Sequence, residues 1–143
     1  MKTKISTLLL LCSLAIFSAC ENEKAAQDKL QKAVLDKHDV VMARMDELNE
    51  NQLQLDQIKK DFPNLNNTDT VSLSASIDSV KIELSNADEA MMAWMHNFNP
   101  DYTGMSHQEI IGYLNQQHKS IDSVKVLFDN SLSRSKAIIS KYQ

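Results

Sequence analysis

Two short windows of the chain concentrate side chains able to hold a soft metal ion. They are His38-Asp39-Val40-Val41-Met42-Ala43-Arg44-Met45 and Met91-Met92-Ala93-Trp94-Met95-His96. Thioether sulfur and imidazole nitrogen suit Cu(I) and are poor ligands for magnesium or calcium. On a helix, His38, Met42 and Met45 fall at i, i+4 and i+7, which is one face, and Met91 and Met95 are likewise i, i+4. If the segments that carry them fold back about a turn near Asn66, His38 meets Trp94, and Met42 meets Ala90 and Met91. The candidate metal ligands are therefore His38, Met42, Met45, Met91 and Met95, and the indole face of Trp94 would attract a cation held there. Met105 and His107 follow the turn at Pro100, near the same end.

A plainer account fits the same residues. Methionine is a flexible gap-filler that packs well against aromatics, so a Met stripe beside Trp94 and Phe98 also reads as core. On that account His38 is a core histidine bonded to a nearby acceptor, and His96 points to a different face from Met91 and Met95. Met-rich surfaces also line grooves for a partner helix or an apolar ligand. In ligand chemistry alone, the His, Met and Trp set is similar to that of periplasmic copper chaperones of efflux systems. Those chaperones are small β-barrels, whereas this chain reads as helical.

Common catalytic signatures do not occur. The sequence has no Gly-rich phosphate loop, nucleophile elbow, His-Glu-x-x-His pair or calcium loop. The serines of Val71-Ser72-Leu73-Ser74-Ala75-Ser76 have no histidine at a partnering position on their helix and are expected to face water. A non-enzymatic role is expected.

The elements that must position the two windows are set by two turns. Prolines and glycines number two each. Pro63 lies in Asp61-Phe62-Pro63-Asn64-Leu65-Asn66-Asn67, and Pro100 in Asn97-Phe98-Asn99-Pro100-Asp101-Tyr102-Thr103-Gly104. A proline discourages helix in the residue before it, so these clusters divide the chain into segments 22–62, 69–98 and 106–142. Each carries an apolar stripe at helical spacing. The first runs from Leu30 and Val34 through His38, Val41, Met42, Met45 and Leu48 to Leu55, Ile58 and Phe62. The second runs from Leu73 to Phe98, and the third from Ile110 to Ile139. Ser106-His107-Gln108-Glu109 is a capping box, with Met105 placed to staple against Ile110. Thr68 or Asp69 is the expected N-cap of the second segment. The amide and acid run Asp46-Glu47-Leu48-Asn49-Glu50-Asn51-Gln52 is expected to be a solvated face. Long single helices bury their stripes against something, and two short connections favour antiparallel neighbours. The expected fold is all-α, three long antiparallel helices in an up-down-up bundle after a cleaved signal peptide. An oligomeric coiled coil is the alternative.

The first twenty residues say where such a bundle would sit. Met1-Lys2-Thr3-Lys4 is basic, an apolar run continues from Ile5 to Phe17, and small residues lead into Cys20. That is the layout of a secretory signal, with an apolar stretch short for a bilayer span. The end of the run, Phe17-Ser18-Ala19-Cys20, resembles the lipobox of bacterial lipoproteins, with Phe17 standing where leucine is usual. The resemblance implies a signal peptide over 1–19, lipid attachment on Cys20 and a helical bundle domain over 20–143. The acidic residues after Cys20 resemble export tags that some Bacteroidota use for surface lipoproteins. The chain also resembles small helical lipoproteins of Bacteroidota, some of them named as viral A-type inclusion-like proteins. The windows from His38 to Met45 and from Met91 to Trp94 carry that likeness.

The formal net charge is −4, from 15 Lys and Arg against 19 Asp and Glu. It becomes more negative when Lys2 and Lys4 leave with the leader. A negative body argues against nucleic acid, which wants a concentrated basic surface. Of the two cysteines, Cys12 lies in the leader and Cys20 would carry lipid. No thiol then remains for a disulfide, a nucleophile or a thiolate metal site. The sequence therefore points to a membrane-anchored, non-enzymatic envelope lipoprotein, on the outer membrane's periplasmic face or the cell surface. Its bundle would bind or space an envelope protein partner. The alternative function is soft-metal binding or carriage of Cu(I) through the His/Met cluster.

Overall fold

Helix-forming residues fill all but the two turn clusters, and the computed structural model is all-helical among its described residues, with no strands. It describes residues 2–65 and 69–142, and side chains from residue 22 onward. The leader over 1–19, Cys20 and Thr68 lie outside the residues whose side chains are described. The helices are α1 (Lys2–Met42), α2 (Met45–Lys60), α3 (Thr70–Asn97) and α4 (His107–Tyr142), with a 3₁₀ turn at Phe62–Asn64.

The expected start signals act as written. Ser106 Oγ accepts from the Glu109 N–H at 3.4 Å, and Glu109 Oε2 accepts from the Ser106 N–H at 2.8 Å, the reciprocal pair of a capping box. Met105 packs against the core cluster that contains Ile110. Asp69 caps α3 by accepting from the Ser72 N–H at 3.1 Å. Between α3 and α4 the turn is built from side chains. Asn99 Oδ1 accepts from the Asp101 N–H, Asp101 Oδ1 from the Thr103 N–H, and Tyr113 Oη from the Asn99 N–H. Gly104 follows at φ 84°, a left-handed conformation that a side chain would strain.

One segment departs from expectation. The helix foreseen over 22–62 is interrupted at Ala43 and Arg44, between α1 and α2. There the Arg44 N–H bonds the Val41 carbonyl, three residues back, instead of the carbonyl four back. Neither glycine nor proline marks the place. Beyond the break, α2 packs on both α3 and α4, whereas the close neighbour of α1 is α4.

The buried residues of each segment recur with a heptad rhythm: Val34, Val41, Leu48 and Leu55 on α1 and α2, Leu73, Val80, Ala87 and Trp94 on α3, Leu114, Ile121 and Phe128 on α4. Asn51, Ser131 and Ser135 share this buried phase. Asn51 Nδ2 donates to Ser135 Oγ at 2.8 Å, and Ser135 Oγ donates to the Leu132 carbonyl at 3.0 Å. Asn51 thus corrects the expectation of a wholly solvated face from Asp46 to Gln52. Its neighbours Asn49 and Glu50 are exposed as expected. Met42, placed on the apolar stripe by its spacing, is 37% exposed, because Val41 takes the inward position.

Ion pairs flank the core. Lys37 pairs with Asp122, Arg44 with Asp129 at 2.5 Å and Lys136 with Glu47, joining α1 and α2 to α4. Lys59 reaches Asp78 at 2.7 Å and Lys81 reaches Asp56 at 2.5 Å, joining α2 to α3; Arg134 of α4 pairs with Glu83 of α3. The Lys136 ammonium holds the Glu47 carboxyl below its ordinary pKa, and Lys125 and then Arg44 do the same for Asp129. A depressed folded-state pKa gives stability that is present above the ordinary carboxyl range and lost as pH falls through it. The thermal midpoint should therefore fall between pH ~7 and pH ~3. A Glu47→Gln/Asp129→Asn variant should show a shallower fall, read by circular dichroism melts across that range. An equal slope in both proteins would remove these two carboxylates from the account.

Candidate functional site

The two Met/His windows touch at one ring pair between α1 and α3. His38 and Trp94 contact across the helices, ring centroids 5.4 Å apart and planes tilted by 33°. Trp94 stacks in turn on Phe98 at 5.0 Å, and the row continues through Tyr113 at 6.2 Å to Tyr102, a further 6.0 Å on. The aromatic row runs from α1 through α3 and α4 into the turn between them. Burial raises the Tyr102 hydroxyl above its ordinary pKa, with Tyr113 adding to the effect.

Chemistry at the seam starts with His38. Its Nδ1 lies 2.9 Å from Asp39 Oδ1. An ionised carboxylate only accepts, so Nδ1 carries the hydrogen and Nε2 keeps its lone pair in the neutral ring. The side chain is 22% exposed. One turn on, Met42 is exposed at the rim. Across the seam Met91 is completely buried in the core, and Met95 is half-buried against it. Met45 is the first residue of α2, on the far side of the break, and packs partly against the core. Met92 and His96 are exposed.

Thus a ring contact joins the two windows at His38 and Trp94; Met42 follows His38 by one turn of α1, Met91 and Met95 flank Trp94 on α3, and Met45 begins α2. Two buried donors, Trp94 Nε1 and Tyr102 Oη, have no hydrogen-bond partner. The other histidines have separate company. His107 Nδ1 lies 2.8 Å from Gln27 Nε2, and His118 lies 3.6 Å from Asp122. Among the described residues no group of three His, Cys, Asp or Glu could hold a metal, so a site here would depend on thioethers.

Grooves lie on several faces of the molecule, among them the α3–α4 side, where Trp94 lines one. A groove of about 380 Å³ is lined by Glu83, Asn86, Leu127, Ser131 and Arg134, and a second of about 310 Å³ by Ala93, Asn97, Gln117 and Ser120 among others. Both are shallow. The seam offers ligand chemistry, and the first groove offers a polar lining of Glu83, Ser131 and Arg134.

Sequence reasoning missed the polar layer of Asn51, Ser131 and Ser135. The signal that reveals it is phase: Asn51 stands three residues after Leu48 and four before Leu55, inside the heptad rhythm of buried positions. No family model matches the chain, and comparison with curated proteins and with solved structures returns no match.

Proposed function

We propose that this chain is an envelope lipoprotein, tethered through lipid on Cys20, whose helices form an up-down-up bundle acting as a non-enzymatic spacer or binding module. The observation that carries the tether is Phe17-Ser18-Ala19-Cys20 at the end of an apolar run. Among the described residues no helix is long and apolar enough to cross a membrane. Two or more lipid chains on one cysteine would hold the protein stably without a span. The up-down-up order is supported by the cross-helix pairs. Partners rise together from Lys37–Asp122 to Arg44–Asp129 and Asn51–Ser135, and run in opposite order from Asp56–Lys81 to Lys59–Asp78.

Spacing follows from length. The 36 residues of α4 rise about 54 Å as a helix. Gln27 of α1 touches His107 at the start of α4, so the turn before α4 sits on the side nearer Cys20. The turn between α2 and α3 then forms the far tip, where Val71 is 80% exposed.

Metabolic labelling with a fatty-acid analogue, followed by fractionation, tests the anchor. The native chain should carry label and partition with membranes, and Cys20→Ser should lose both. Membrane partition unchanged in Cys20→Ser would sink the lipoprotein reading. Photo-crosslinkers placed at exposed Val71 and Leu53 address the binding role. A discrete adduct that disappears with Cys20→Ser is expected, and an empty profile at both positions counts against a partner.

A further inference from the structure

We propose that the seam between α1 and α3 is a binding site for a soft monovalent cation, Cu(I) or its analogue Ag(I), held by His38 Nε2, Met42 and Met95. Met91 and Trp94 form the floor. This site stands apart from the anchoring role above and would survive its failure.

Three observations converge. First, the carboxylate of Asp39 engages Nδ1 of His38 at 2.9 Å, the outer-shell contact that fixes a ligating imidazole with its other nitrogen available. Second, His38 is brought against the face of Trp94, 5.4 Å between centroids, so a cation on the imidazole lies beside an indole. Third, methionines stand within about one helical turn of both rings along the chain, with Met42 exposed, Met95 half-buried and Met91 buried.

Val41 fills the inward position beside Met42, which leaves the thioether where an incoming ion would meet it. Two thioethers and one neutral imidazole select a soft ion over magnesium or calcium, and they need no deprotonation beyond the neutral histidine. Met45, the first residue of α2, is not among the three ligands proposed.

Trp94 is the sole tryptophan of the chain, so its emission reports this position alone. The chain with both thiols removed (Cys12→Ser/Cys20→Ser), in mild detergent, would be titrated with Ag(I), and with Cu(I) buffered by a competing chelator, while that emission is followed. One saturating equivalent with a change in Trp94 emission is expected. Met42→Leu/Met95→Leu conserves volume and should keep the fold while weakening binding at least about tenfold. His38→Phe keeps a ring against Trp94, removes the nitrogen, and should weaken binding comparably; it decides the matter if the double variant fails to fold. Zn(II) should compete poorly. The proposal is overturned by unsaturable binding, by saturation without change in Trp94 emission, by undiminished affinity in a folded variant, or by Zn(II) binding as tightly.

Discussion

Replacing Phe128 with alanine should cost about 3–5 kcal/mol, the largest loss expected from a single truncation in this chain. Phe128 is fully buried at the middle of α4, the helix that packs along α1, α2 and α3 alike. A cavity there lies at the one helix that packs on all three others. Its level is fixed by the neighbouring pair Asp129–Arg44, which places Phe128 beside the break between α1 and α2. On α3, the pair Arg134–Glu83 puts the small residue Ala87 near the same level, so a large side chain meets a small one. Collapse around the missing ring would require α1 and α2 to move together across their own interruption, and the cavity should stay largely open. Domains of this kind are stable by about 5–15 kcal/mol, so the variant should lose a large share of its margin. Urea unfolding of the two proteins measures the difference. Leu127→Ala, next in sequence but 42% exposed, should change stability by no more than about 0.5 kcal/mol. A loss at Phe128 as small as that at Leu127 would mean that α4 is not the hub of the core.

What was legible in the sequence was whatever local chemistry decides. The turn clusters around Pro63 and Pro100 bound the helices to within a few residues, because a proline restricts the residue before it whatever the tertiary context. The Ser106–Glu109 box and the Asp69 cap were legible for the same reason, since each is a bond within four residues. The apposition of His38 with Trp94 was also foreseeable, as it needs only a fold-back about one short turn. The break at Ala43 and Arg44 was not. Residues there have ordinary helix propensity, and Arg44 is held from a distance, by Asp129 on α4 as well as Glu47 nearby. Met42 and Asn51 were misplaced together, and for a single physical reason. Hydrophobicity ranks methionine inside and asparagine outside, whereas the heptad phase set by Val34, Val41, Leu48 and Leu55 does the reverse.

Replacing Asn51 should separate the cost of a cavity from the cost of a buried amide. Asn51→Ala removes the 2.8 Å bond to Ser135 and leaves a void between α2 and α4, with an expected loss of about 1–3 kcal/mol. Asn51→Leu fills the same space with apolar atoms. Ser135 keeps its own donor satisfied by the Leu132 carbonyl, so no buried hydrogen is orphaned. That variant should therefore be as stable as the native chain or more so. Its expected defect is in specificity. A polar residue at one core position of a heptad pattern penalises every register or association in which it meets only apolar partners. In this bundle Asn51 finds a hydroxyl only when α2 and α4 are aligned as the Arg44–Asp129 pair also requires. With leucine there, shifted registers and intermolecular pairings no longer bury an unpaired amide, and these long heptad-patterned helices become competent to associate between chains. Sedimentation velocity on the two variants over a range of concentrations reads this directly. Asn51→Ala should keep the native association state despite its lower melting point, and Asn51→Leu should melt no lower while showing added oligomers. If Asn51→Leu is both less stable and unchanged in association, the amide contributes ordinary stability and the helices are aligned by their flanking ion pairs alone.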